Sequence, residues 1–173
     1  RFIKIRAKRV IMATGAQESL SVFHNNDLPG VMLSNGVQRL MHIYGVSPGK
    51  RALIVTSTDQ GYIVAKDLLD AGVQVAEVVD ARPSTTADSA EMQALRPSGV
   101  PITRGAAILR AIGVNHVRGA VIVGVDERGQ PTGQRRRIDC DLIVLANGFE
   151  PATALLAQPG SGVAFDQSLG EFV

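Results

Sequence analysis

The sequence predicts an α/β fold: a parallel sheet with helices and an antiparallel hairpin excursion. Three observations carry this expectation. Residues 51–82 run strand, turn, helix, strand, and the second strand ends on an acidic residue, which is the shape of a mononucleotide-binding βαβ unit. Ala52–Val55 and Leu142–Ala146 are uninterrupted apolar runs, suited to parallel strands buried on both faces. Between them, Ala106–Val114 and Val117–Val125 read as two strands separated by Asn115-His116, continuing through a turn at Glu127–Gly129 into Arg137 and Ile138.

The elements follow in order. Phe2–Arg6 and Lys8–Ala13 read as strands, with Lys4, Arg6, Lys8 and Arg9 alternating with apolar residues as in a half-exposed hairpin. The second runs into the small turn Ala13-Thr14-Gly15. His24–Gly30 is polar and turn-rich, a connection between domains. A helix is expected over 34–44, with Ser34 or Asn35 as N-cap and Val37, Leu40, Met41 and Tyr44 on one face. Ser47-Pro48-Gly49 turns the chain into the βαβ unit, whose helix is expected over 60–71 with Gly72 as its stop. Its second strand is expected over 73–79, with Asp80 at the end. A loop at 83–88, a short helix at 89–96 and a third parallel strand at 100–103 complete this part.

The turn of the βαβ unit departs from the dinucleotide fingerprint G-x-G-x-x-G. The three glycine positions hold Thr56, Thr58 and Gly61. Gly61 still permits close helix–strand packing, whereas the β-branched threonines are poorly suited to positive φ. Their hydroxyls and that of Ser57 are candidate donors to a pyrophosphate in place of close backbone approach. Asp59 complicates this, because as an N-cap it would occupy the amides that otherwise face the phosphates. Asp80 lies 19 positions after Gly61, near the usual spacing of about 20 for an acidic residue that accepts from the adenosine ribose and repels a 2′-phosphate. Arg82 is placed to stack on adenine or to pair with a surface carboxylate. Two readings of this turn stand side by side: a nucleotide site, and a helix start capped by its own side chains.

Composition excludes several classes. The 173 residues are 45% hydrophobic with a net charge of +2, an ordinary globular balance that gives no argument for a nucleic-acid partner. The run Arg135-Arg136-Arg137 is most simply a solvated strand edge. Cys140 is the single cysteine, so no internal disulfide and no C-x-x-C dithiol is present, and it reads as a small core residue. His24, His42 and His116 show no metal-ligand spacing with each other or with Cys140. No stretch is long and apolar enough for a membrane span and no signal peptide is evident; the expected setting is cytoplasmic and reducing. The first residue is not methionine and already reads as strand, as in an excised piece of a longer protein.

The residues in this order resemble flavoproteins with two dinucleotide-binding domains, in which an FAD domain is interrupted by an inserted NAD(P)-binding one. Val10–Gly15 is similar to that family's strand ending in A-T-G, and Leu142–Gly148 to the strand that begins the return, with Asn147 in place of Thr. A closer resemblance is to the α subunit of heterotetrameric sarcosine oxidase. It rests on residues 13–18 (ATGAQE), 26–32 (NDLPGVM), 44–51 (YGVSPGKR), the turn 56–59 (TSTD) and 80–83 (DARP). The resemblance implies a Rossmann-like FAD/NAD(P)-binding domain, with 1–33 as a flank from the FAD domain, 34–140 as the NAD-binding domain and 141–173 as the return segment. It implies NAD held at Thr56, Ser57, Thr58, Asp59, Gly61, Asp80 and Arg82, with Thr14 and Gly15 serving FAD in the full-length protein. No catalytic residue is expected in the chain itself. The implied whole is a multisubunit amine oxidase that demethylates a secondary amine. Two alternatives remain: an NAD(P)H-dependent flavoprotein reductase domain, and a degenerate scaffold for subunit assembly. The two bordering apolar strands, left without cover, also predict self-association.

Overall fold

The computed structural model describes residues 2–126, 128–155, 164–167 and 171–172. In chain order its strands and helices are β1 (Ala16–Glu18), β2 (Val31–Leu33), α1 (Ser34–His42), β3 (Arg51–Thr56), α2 (Gln60–Asp70), β4 (Gln74–Asp80), α3 (Ala90–Leu95), β5 (Ile102–Arg104), β6 (Ala106–Gly113), β7 (Val117–Val125), β8 (Pro131–Ile138), β9 (Leu142–Ala146), β10 (Phe149–Pro151), β11 (Phe165–Asp166) and β12 (Glu171–Phe172). The chain divides into two compact units, 18–148 and a terminal one of 1–17 with 149–173.

The larger unit is a three-layer sandwich. Its middle layer is a five-stranded parallel sheet in the order β2-β9-β3-β4-β5. The apolar runs read from the sequence as doubly buried strands are its centre. Their residues sort by alternation, because successive side chains on a strand face opposite ways. Ala52, Ile54, Val78, Leu142 and Val144 pack with Val37 of α1, Tyr62, Val64 and Leu68 of α2, and Met92 and Leu95 of α3. Leu53, Val55, Val79, Ile143 and Leu145 pack instead with Ala111, Val117, Ala120, Ile122 and Ile138 of the antiparallel sheet β6-β7-β8. The expected excursion is therefore a meander that covers one whole face of the parallel sheet, and Cys140 is buried in the same cluster.

Several expectations need correction. Residues 2–13 form no strand, and Ile11 is 91% exposed. Their alternation of charge and apolar side chains has no neighbouring strand to satisfy, so the backbone gains nothing from extension. β9 does not need cover from elsewhere: it lies between β2 and β3 in the middle of the sheet. Leu142–Ala146 lies in the same compact unit as the βαβ strands. In the terminal unit β1 is ordered with β10, and Phe165–Asp166 pairs with Glu171–Phe172.

Local chemistry sets the helix ends. Neither Ser34 nor Asn35 is the N-cap of α1; Leu33 occupies that position without a side-chain bond. The cap comes from afar: Glu18 accepts from Ser34 Oγ at 2.5 Å and from the Asn35 amide at 3.1 Å, placing a carboxylate at the positive end of the helix. Ser89 caps α3 by accepting from the Met92 amide at 3.2 Å. Gly72, at φ +79°, ends α2 in the left-handed conformation that favours glycine.

Arg136 departs from the reading of a solvated strand edge. It donates both terminal nitrogens to Glu77 and one of them to Thr103 Oγ1 at 3.0 Å. Glu77 is buried on β4, so this pair fastens the edge strand of the meander to the parallel sheet.

Candidate nucleotide site

The C-terminal ends of β9, β3 and β4 lie side by side, with Ala146 opposite Thr56 and Thr56 opposite Asp80. From β3 the chain proceeds to β4 on one side, while β9 occupies the other. The crevice outside the carboxyl ends of the strands at such a reversal of order is where open α/β sheets bind ligands.

The turn from β3 into α2 is closed by its own side chains. Thr56 Oγ1 lies 2.8 Å from Ala146 O and 2.7 Å from Thr58 O, and it accepts from the Thr58 amide at 3.1 Å. Thr58 Oγ1 donates to Ala146 O at 3.1 Å, and Ser57 Oγ to Asn147 O at 3.3 Å. The three hydroxyls expected to face a pyrophosphate thus face the end of β9. The carbonyls at and just after the end of β9 lack ladder partners, and hydroxyls in reach satisfy them. The threonines replace fingerprint glycines by tying the turn down.

Gly61 behaves as its position predicts. A Cβ there would sit 2.4 Å from Thr56 Cβ, 2.5 Å from its Oγ1 and 2.6 Å from its Cγ2. Glycine at 61 and threonine at 56 are therefore one packing solution. Across the crevice Gly148, at φ +99°, brings the backbone after β9 close to Thr58.

Asp59 is the residue preceding α2, yet its side chain caps no amide. The expected competition between Asp59 and a phosphate for the helix start is absent. Its Oδ1 instead lies 2.9 Å from an Arg82 terminal nitrogen, an ion pair without a directed hydrogen bond.

Asp80 is fully buried. Its Oδ2 accepts from the Tyr62 hydroxyl at 2.5 Å and from Arg82 Nη2 at 2.8 Å, and Oδ1 from the Arg82 amide at 2.9 Å and Nε at 3.1 Å. The Arg82 guanidinium lies 5.7 Å from the centre of the Tyr62 ring, within cation–π range. Burial, with the hydrogen bond and charge of Asp80 behind it, pushes the Tyr62 phenol up to about 12. Hydrogen bonding to Asp80 raises Arg82 above its ordinary value against the opposing cost of burial. Tyr62, Asp80, Arg82 and Asp59 form one network, and Tyr62 is the member the sequence reading missed. The signal was available: an apolar-face tyrosine one residue after Gly61 comes under the end of the next strand.

Thr14 and Gly15 belong to the terminal unit, where Thr14 Oγ1 donates to Ala152 O at 2.8 Å and Gly15 O accepts from the Ala152 amide at 2.9 Å. His42 Nε2 lies 3.3 Å from Asp67 Oδ2 on the outer side of α1 and α2. Among the described residues no group of three His, Cys, Asp or Glu is arranged for a metal, and no helix is long and apolar enough to cross a membrane. Burial pushes the Cys140 thiol up to about 12, a protonated core residue.

Residues 3–170 match the family model described as pyridine nucleotide-disulphide oxidoreductase. The chain is 34% identical over 98% of its length to the sarcosine oxidase subunit alpha of Corynebacterium sp. (strain P-1), and 34% identical over 92% to that of Rhizobium meliloti (strain 1021). It spans only 17% and 15% of those relatives. It is also 28% identical to the hydrogen cyanide synthase subunit HcnB of Pseudomonas aeruginosa, covering 38% of that protein. Among solved structures, T. acidophilum thioredoxin reductase superposes with a TM-score of 0.66 at 18% identity, over 89% of this chain and 48% of that one. An FAD-dependent pyridine nucleotide-disulphide oxidoreductase from Desulfovibrio vulgaris does so with a TM-score of 0.66 at 22% identity, over 94% and 41%. These likenesses show the fold, and the lone Cys140 keeps it apart from dithiol chemistry within these residues. By its match over nearly the whole length, the chain belongs to the pyridine nucleotide-disulphide oxidoreductase family.

Proposed function

We propose that this chain is the NAD-binding portion of a flavin-dependent amine oxidoreductase similar to the sarcosine oxidase α subunit. The observation that carries it is the start of α2, which no side chain caps, facing the crevice at the ends of β3 and β9. The positive end of its dipole fits a pyrophosphate, while the Gly61 and Tyr62 amides already donate to the Thr58 and Asp59 carbonyls. The groups beside it fit an unphosphorylated adenosine: Asp59 and Asp80 outnumber Arg82, so a 2′-phosphate meets net negative charge. This is the basis for NAD over NADP.

In the whole enzyme, FAD would supply the redox capacity, with NAD held as a tight, non-redox ligand. The chain's own residues bind and orient: the tied turn fixes the helix start, Gly61 seats it, and Tyr62 and Asp80 fix Arg82. Relatives named as sarcosine oxidase subunits support oxidative demethylation of a secondary amine, with further subunits as partners and FAD held partly by the segment containing Thr14 and Gly15. The chain alone is expected to be inactive.

One observation favours a second reading, the non-binding scaffold. All three turn hydroxyls and both Asp80 oxygens are engaged within the protein. Mass spectrometry of small molecules released on denaturing the full-length protein separates the two. NAD in a one-to-one ratio supports the first reading, and flavin without any pyridine nucleotide supports the second. Rapid reduction of the flavin by added NADH would point instead to a flavoprotein reductase.

A further inference from the structure

Resting on the NAD-site reading above, we propose that Asp59 is the residue that discriminates an adenosine ribose from its 2′-phosphorylated form, with Asp80 and Tyr62 as positioning residues behind Arg82.

The fingerprint logic assigns this task to the acidic residue at the end of the second strand. Here that residue is Asp80, whose side chain has no exposed surface and whose two oxygens are held by Tyr62 and Arg82. A ribose hydroxyl reaches it only by displacing one of these donors, which leaves a buried polar group unpaired. Asp59 is the opposite case. Its side chain is 41% exposed as a whole, with Oδ1 buried 2.9 Å from Arg82 Nη2 and the exposure on the rest of the group. It stands at the start of α2, across Arg82 from Asp80, so it is the carboxylate that a nucleotide entering the crevice meets.

Charge gives the direction of the effect. Two carboxylates and one guanidinium leave one net negative charge, and Arg82 is 25% exposed with Asp80 taking its Nε and Nη2. A 2′-phosphate adds a second like charge beside Asp59. Without the Asp59 charge, Arg82 keeps one buried partner and turns a free edge of its guanidinium outward, a geometry suited to phosphate oxygens. Arg82 is then the latent phosphate-binding group, and Asp59 is what silences it.

The test is calorimetric titration of NAD and NADP into the full-length enzyme after removal of bound nucleotide, for the parent, Asp59→Asn, Asp59→Ser and Asp80→Asn. The parent should prefer NAD. Both Asp59 variants should shift the NAD-to-NADP affinity ratio toward NADP by about tenfold, the effect of removing one like charge in a partly solvated site. Asp80→Asn should weaken both nucleotides together, since it loosens Arg82 without changing the exposed carboxylate. The ratio is the decisive readout, because general damage to the fold lowers both affinities alike. An unchanged ratio in both Asp59 variants, with a changed one in Asp80→Asn, would make Asp80 the direct reader and overturn the proposal. A parent that binds neither nucleotide would overturn the site reading and this proposal with it. A parent that binds NAD with unchanged Asp59 variants overturns the proposal alone.

Discussion

Gly61→Ala is the sharpest perturbation of the site, because its cost can be worked from the packing. In an exposed helix this change stabilises by about 0.5–1 kcal/mol through the backbone. Here the new Cβ would lie 2.4–2.6 Å from three atoms of Thr56, where ordinary contact needs about 3.5–4.0 Å. Relief therefore demands a movement of about 1 Å or more. Thr56 cannot swing away, since it is fully buried and its hydroxyl is bonded at Thr58 and Ala146. Overpacking of this kind costs about 1–3 kcal/mol, occasionally more, which outweighs the helix gain. Urea denaturation of the parent and variant should show a lower midpoint with an unchanged slope. Thr56→Gly restores the first fingerprint glycine and removes every clashing atom, so the double variant should recover part of the loss. The resulting coupling of about 1–2 kcal/mol is that of residues in direct contact. A Gly61→Ala variant as stable as the parent, or additive behaviour in the double variant, would refute the packing argument.

Other expectations follow from the same contacts. Removing Arg136 by Arg136→Ala leaves Glu77 buried without its partner; the loss should be about 2–3 kcal/mol by denaturation, under the ~3–5 of a fully buried pair because Arg136 is 45% exposed, and Glu77→Gln in the same chain should restore part of it. Tyr62 has its pKa raised in the folded state from 10.0 to about 12, so its contribution to stability is whole below pH ~10 and is lost as pH rises through ~12; Asp80→Asn should shrink that alkaline loss, read from tyrosinate absorbance and thermal melts across the range. Cys140 should resist thiol reagents at neutral pH until the protein unfolds, since burial keeps it protonated; prompt labelling of folded protein would contradict its place in the core. Phe2, Ile3, Ile5, Val10 and Ile11 are exposed, and sedimentation should show self-association that falls when they are replaced by serine.

Much of the fold was legible because its signals are local. The doubly buried strands declare themselves as apolar runs, α2 is bracketed by Asp59 and Gly72, and the meander shows turns at regular spacing. What was not legible depended on partners distant in sequence. β2 is only three residues long and becomes a strand because Val31–Leu33 finds β9 more than a hundred residues later. Glu18 caps α1 from outside the helix, where the local pattern at Ser34 and Asn35 does not reveal it. Arg136 looked like surface charge because nothing near it in the sequence reveals Glu77. The site shows the same division. Gly61 and Asp80 are marked by their spacing in the sequence. The contacts of their side chains and of the turn are not, because the Ala146 carbonyl engages Thr56 and Thr58 and the Tyr62 hydroxyl engages Asp80 from other elements.

The central claim is that a pyridine nucleotide binds at the ends of β3 and β4, against the start of α2. Hydrogen exchange of the full-length protein with and without NAD tests it most directly. The account predicts slowed exchange at the amides of residues 57–61, with a second protected patch at 81–82 and 147–148, and little change in β6–β8. Unchanged exchange across 57–61 at a saturating NAD concentration, or protection confined to other segments, would contradict it.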